Sequence, residues 1–229
     1  MLQVDDLFVS YGQSQAIHGI SFSAKENETV AVMGRNGMGK TTLFKSLIGI
    51  LPVKKGKVTV DGTDLTQEES FRRVAKGIGY VPQGRMIFPT LTVEENLETG
   101  LENAEDRTVP EDIYALFPVL WDMRRRKGGN LSGGQQQQLA IGRALVTNPK
   151  VLLLDEPTEG IQPSIIKDIA KALNEIRKLR KITIVVSEQV LSFALDVADR
   201  LFVIEGGRLV HEAPREAIDA DRIKQYLSV

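Results

Sequence analysis

Nine consecutive residues, Gly34, Arg35, Asn36, Gly37, Met38, Gly39, Lys40, Thr41 and Thr42, have the glycine spacing and Lys-Thr ending of a loop that closes its backbone around phosphate. In such a loop Lys40 reaches the β- and γ-phosphates of a nucleoside triphosphate and the Thr41 hydroxyl ligates Mg²⁺. Further on, Leu131, Ser132, Gly133, Gly134 and Gln135 make a second anion grip. Two glycines and a serine at a helix N-terminus can present N–H groups and a hydroxyl to a terminal phosphate. A third feature is the apolar run 151–154, which delivers Asp155 and Glu156 at its carboxyl end, where ligands bind in open α/β sheets. Asp155 suits a hydrated Mg²⁺, and Glu156 suits a general base on the attacking water. An acidic pair after a strand also reads as a helix N-cap; the phosphate loop upstream tips the pair towards chemistry.

These residues need a scaffold. Leu2, Val4, Leu7 and Val9, then residues 16–24, read as strands separated by the turn chemistry of Tyr11, Gly12, Gln13 and Ser14, which predicts an antiparallel opening layer. The runs 30–33, 78–81, 151–154, 182–186 and 201–204 read as strands buried on both faces, alternating with helical stretches such as 164–179. The fold class is therefore α/β. Between 84 and 129 the texture changes to helix-compatible segments at 93–101 and 111–116, punctuated by Pro89, Pro110 and Pro118. That stretch reads as an inserted helical lobe in a single domain spanning 1–229, whose core is 1–83 and 130–229. Residues 205–208 mark a hairpin turn, and a short closing helix is expected after Pro214.

Composition narrows the function classes. In 229 residues, 29 Lys and Arg oppose 30 Asp and Glu, a balance that argues against broad electrostatic binding of nucleic acid. Cysteine is absent, so disulfides and thiolate metal sites are excluded. No apolar run approaches the roughly 20 residues that span a bilayer, and the opening residues resemble no signal peptide; a membrane role would run through a partner. His18 and His211 lie far apart and read as structural or surface residues. The basic run 124–127 reads as a solvated segment, and Trp121 as either core or interface.

With these motifs in place, the chain resembles the ATP-binding subunits of ABC transporters over essentially its whole length. Residues 131–135 match that family's signature loop without substitution. The resemblance implies a P-loop NTPase fold with an antiparallel β layer and an inserted helical subdomain, and hydrolysis of ATP with Mg²⁺. It also implies a head-to-tail pair in which Ser132, Gly133 and Gly134 of one subunit meet the γ-phosphate held by Gly39, Lys40 and Thr41 of a second ABC ATPase subunit. Tyr11 matches the aromatic that stacks on adenine. Gln83 matches the glutamine that senses Mg²⁺ and water and leads into the lobe that docks on transmembrane permease subunits. A periplasmic binding protein would be an indirect partner, and the chain would sit peripherally on the cytoplasmic face of the inner membrane without inserting.

Two positions depart from the general family pattern. Gln162 stands where an aspartate usually precedes proline, and Gln189 stands where a switch histidine follows the strand 183–186. A glutamine can still hydrogen-bond a γ-phosphate, but it cannot become a cation. Both departures resemble the branched-chain amino acid and urea/amide importer subgroup. Within it, residues 80–89, 116–120, 131–145 and 155–166 look most like the urea-type subunit, with branched-chain amino acids the alternative cargo. A mainly regulatory partner is favoured by Gln162 and Gln189 but opposed by Lys40, Asp155, Glu156 and Ser132. DNA- or ribosome-directed ABC proteins carry long coiled-coil insertions or tandem cassettes, and this chain has neither.

Overall fold

The computed structural model describes residues 1–102 and 106–228. Strands β1 (Leu2–Tyr11) and β2 (Ser14–Ala24) form a hairpin, and β3 (Thr29–Met33) runs into the loop before helix α1 (Lys40–Leu47). Next come β4 (Val53–Val60), β5 (Thr63–Asp64), α2 (Ser70–Ala75) and β6 (Ile78–Val81). The short helices α3 (Val93–Glu98), α4 (Glu111–Leu116) and α5 (Pro118–Asp122) precede α6 (Gly133–Leu145). The chain continues through β7 (Val151–Asp155), α7 (Pro163–Arg180), β8 (Thr183–Glu188) and α8 (Leu191–Val197). It closes with the hairpin of β9 (Arg200–Glu205) and β10 (Arg208–Pro214), then α9 (Ala220–Leu227).

Two sheets result. One has the order β2-β1-β4-β5 and is antiparallel. The other has the order β10-β9-β3-β8-β7-β6 and is parallel apart from β10. Because successive side chains of a strand point to opposite faces, the parallel sheet splits the core in two. Val30, Val32, Val151, Leu153 and Val185 pack with the antiparallel sheet and α1, while Ala31, Met33, Leu152, Leu154, Ile184 and Val186 pack with α6, α7 and α8. Helix α1 lies between the sheets, touching β1, β2, β7 and β8 through Leu43, Phe44 and Leu47. Burial on both faces is why these strands read as unbroken apolar runs.

The expected lobe contains α3, α4 and α5 and, among the described residues, no strand beyond a single bridge between Thr92 and Lys127. Leu97, Ile113, Phe117 and Leu120 join the core cluster around α6 and α7. The helix expected at 93–101 ends at Glu98 and tightens into a 3₁₀ turn over Thr99–Leu101. Pro118 falls at the break between α4 and α5, as the first residue of α5, where its missing N–H costs nothing. The expected closing helix is α9, which buries Ile223 and stacks Tyr226 on His211 at 5.9 Å. Trp121 is half exposed, with Arg124 stacked 4.1 Å from its ring. No described helix is long and apolar enough to cross a membrane.

Residues 53–75 hold structure that the sequence reading passed over, and one side chain there anchors the core. Arg73 of α2 is 2% exposed. Its guanidinium donates to the Ser46 and Leu47 carbonyls in the last turn of α1 and to those of Thr66 and Glu68, all at 2.8–2.9 Å. Helix ends leave such carbonyls without partners, and a cation there also complements the helix dipole. Arg73→Leu removes this donor from four acceptors at once, of which the Ser46 carbonyl alone keeps a backbone donor, Gly49 N–H at 3.2 Å, so a loss of about 3–5 kcal/mol is expected, read as a lower midpoint in urea denaturation. An unchanged midpoint would show that water replaces the guanidinium.

Candidate nucleotide-binding and hydrolysis site

The phosphate loop leaves the buried end of β3 and turns at Gly39, whose φ of 108° is the left-handed conformation that glycine adopts without strain. α1 then starts at Lys40, and its first N–H groups point into the loop without intrahelical partners. The Lys40 ammonium, 3% exposed, donates to the carbonyls of Gly34 (2.6 Å) and Arg35 (2.8 Å). It also pairs with Glu156 Oε1 at 3.0 Å. Arg35 donates to the Ser228 carbonyl just past α9, and the Met38 carbonyl accepts from Gly207 N–H. Asn36 and Gly37 lie exposed at the tip.

Asp155, at the end of β7, is 1% exposed. Its Oδ1 accepts from Ser187 Oγ (2.6 Å) and Thr41 Oγ1 (3.3 Å), and Oδ2 from the Tyr80 hydroxyl (3.5 Å). Burial pushes the Asp155 carboxyl above its usual range, against the pull of Ser187 and Thr41. Burial, with Asp155 adding its charge, also pushes the Tyr80 phenol up.

Glu156 follows with a φ of 48°, a left-handed setting that costs a branched or long residue energy and recurs at functional sites. Its N–H is held by the Ser187 carbonyl and hydroxyl, both at 3.1 Å. Three separate segments converge on its carboxylate: Lys40 on Oε1, and the amides of Gln83 (3.4 Å) and Gln189 (3.3 Å) on Oε2. Gln189 also donates to Asn36 Oδ1 at 2.7 Å, and Gln83 to Glu159 Oε2 at 3.1 Å.

Thr41 and Asp155 thus come together as oxygen donors of the kind a hard cation takes. Among the described residues no group of three or more His, Cys, Asp or Glu could hold a metal. That donor set fits Mg²⁺ held chiefly through triphosphate oxygens and water, as such ions are. Gln83 is directed at Glu156 and Glu159, not at the Thr41–Asp155 pair. Tyr11 is half exposed with its hydroxyl 3.3 Å from Thr42 Oγ1, so its ring is accessible to an aromatic base.

The second grip lies apart. Ser132 caps α6, its hydroxyl accepting from Gln135 N–H at 3.4 Å while its own N–H donates to Gln135 Oε1 at 2.9 Å. Gly134 faces α7 so closely that a Cβ would fall 2.8 Å from Ile165 Cγ2, and Arg85, which donates to the Glu159 carbonyl at 3.0 Å, lies beside Gly133. Among the described residues, no hydrogen bond joins 132–135 to 34–42 within the chain. Sequence reasoning missed Ser187 and Tyr80 as members of the site. The available signal was Ser187-Glu188 at the carboxyl end of a buried run, where polar side chains must find partners.

A family model described as "ABC transporter" matches residues 17–159. The chain is 41% identical over 213 residues to the high-affinity branched-chain amino acid transport ATP-binding protein BraG of Pseudomonas aeruginosa, covering 92% of this chain and 91% of that one. It is 36% identical to the probable branched-chain amino acid transport ATP-binding protein LivF of Archaeoglobus fulgidus, covering 91% and 90%. Identity to the lipopolysaccharide export system ATP-binding protein LptB of Haemophilus influenzae is 32%, covering 98% and 95%. Among solved structures, a dimeric post-hydrolysis state of an ATP-binding cassette bound to ADP and Pi superposes with a TM-score of 0.85 at 25% identity, covering 95% of this chain and all of that one.

Proposed function

This chain belongs to the ABC transporter family, and we propose that it is the ATP-hydrolysing subunit of an importer for branched-chain amino acids. The cargo rests on one observation, the 41% identity over nearly the full length of both chains to a subunit named for that transport. Urea, which the resemblance of 131–145 and 155–166 favoured, appears in the name of none of the relatives described above. The test is to purify the assembled transporter with its solute-binding protein and titrate that protein by calorimetry. Leucine, isoleucine or valine should bind; a binding protein that takes urea and not leucine would overturn the assignment.

The ATPase fold is that of ABC cassettes, and its residues divide the chemistry as follows. Tyr11 stacks on the base, and residues 34–42 wrap the phosphates. When bound, Mg²⁺ neutralises charge building on the β- and γ-phosphates; Thr41 and Asp155 would hold it. Lys40 exchanges its partner, leaving Glu156 for the phosphates, which frees the carboxylate to take a proton from water. Gln83 and Gln189 keep that carboxylate aimed through their amides. Ser132, Gly133 and Gly134 complete the site on a second ABC subunit, which explains why they lie apart from the loop of their own chain. Residues 84–129 act as the lobe facing the permease. Between that lobe and the core runs a groove of about 550 Å³ lined by Ile48, Val74, Tyr80, Phe88 and Arg143, with Phe71 and Met86 exposed nearby. We place the permease contact there, and the subunit peripherally on the cytoplasmic membrane face.

A further inference from the structure

Glu188 ends β8 beside the site, is 2% exposed, and takes no part in the chemistry above. Its Oε1 accepts from Thr158 N–H (3.0 Å) and Thr158 Oγ1 (2.6 Å), and its Oε2 from Gln189 N–H (2.9 Å) and Val190 N–H (3.1 Å). Its backbone carbonyl accepts from Gly34 N–H at 3.3 Å. A carboxylate has about four lone-pair sites, and here all four are taken by donors from two segments. Burial pushes this carboxyl above its usual range, against the pull of those donors.

The need for such an anchor follows from Gln189. Its amide holds Glu156 Oε2 and Asn36 Oδ1 at 3.3 and 2.7 Å. A neutral amide contributes only a hydrogen bond, which weakens steeply with misalignment, whereas a cation would attract at longer range. Gln189 therefore depends on where its backbone is fixed. We propose that Glu188 is a positioning residue that sets Gln189 against Glu156 and ties that setting to the segment from Thr158 to Gln162. This rests on the reading of Glu156 and Gln189 given above.

Glu188→Gln is the sharpest probe, because an amide offers one acceptor atom and turns an NH₂ towards either the Thr158 pair or the Gln189 and Val190 N–H groups. In the assembled transporter kcat should fall about tenfold or more, with ATP affinity held within about twofold. In a Gln189→Ala background the same change should cost less than about twofold in kcat, while the fall in denaturation midpoint is the same in both backgrounds. Equal fractional losses of kcat in the two backgrounds, or an unchanged kcat for Glu188→Gln, would overturn the proposal and leave the roles of Glu156 and Gln189 standing. Undiminished kcat in Gln189→Ala alone would overturn the role of Gln189 and the proposal with it. Should Glu188→Gln not fold, Thr158→Val carries the same cycle by removing one donor: non-additivity with Gln189→Ala supports the proposal, and additivity overturns it.

Discussion

Glu156→Gln is expected to leave ATP bound and to cut turnover by about 10²–10⁴-fold, the range over which a positioned general base acts. Among the described residues, no neighbouring carboxylate is placed to substitute. Asp155 is engaged by Ser187, Thr41 and Tyr80, Glu188 has its four acceptor sites filled, and the Glu159 carboxylate is engaged by Gln83. Glutamine keeps the length of the side chain but cannot accept the proton. The same substitution removes the anion that competes with phosphate for Lys40, whose bonds to the Gly34 and Arg35 carbonyls remain. ATP affinity should therefore hold or rise. Equilibrium titration with ATP and steady-state phosphate release check the two halves separately. Preserved turnover removes Glu156 from the role of base, and weakened binding refutes the competition between Glu156 and the nucleotide for Lys40.

The parts of this molecule that could be read from sequence are those where one local pattern has one physical meaning. β3, β7 and β8 are buried on both faces, so they appear as unbroken apolar runs; the phosphate loop shows itself because few other uses need that glycine spacing before Lys-Thr. β4 is hidden because Lys54, Lys55 and Lys57 break its pattern: these three are exposed along β1, and after Val53 only Val58, Thr59 and Val60 are buried. The convergence on Glu156 was not legible in its particulars. Lys40 at the start of α1 and Gln83 and Gln189 in loops after strands are set side by side only by the order β3-β8-β7-β6, and nothing local says that the lysine and the base form an ion pair. Gln189 stands out in the sequence as a departure, yet its link to Glu188 through the 2.9 Å backbone hydrogen bond needs the fold, since one acidic residue at the end of a strand has many ordinary uses. The cargo lies beyond reach for a different reason: an ATPase subunit does not touch it, and the segments resembling the urea type lie around the candidate nucleotide site and in the helical lobe.

Lys40→Ala should separate these layers, because it removes a group that acts on nucleotide and on the nucleotide-free fold together. Losing charge-assisted bonds to phosphate, at about 1.5–3 kcal/mol apiece, predicts ATP affinity lower by about 10–100-fold or more. Without nucleotide the substitution also strands Glu156, 8% exposed and then held only by amides. Breaking a buried pair by deleting one partner costs about 3–5 kcal/mol, chiefly the uncompensated charge. If that is the origin of the loss, Lys40→Ala combined with Glu156→Gln should regain most of the stability while ATP affinity stays low. The double variant therefore restores the fold without restoring the site. Urea denaturation and ATP titration of the wild type, both single variants and the double variant complete the cycle. Stability losses that simply add would show that the 3.0 Å ion pair contributes nothing to the resting state, and full ATP affinity in Lys40→Ala would show that the loop grips triphosphate without its lysine.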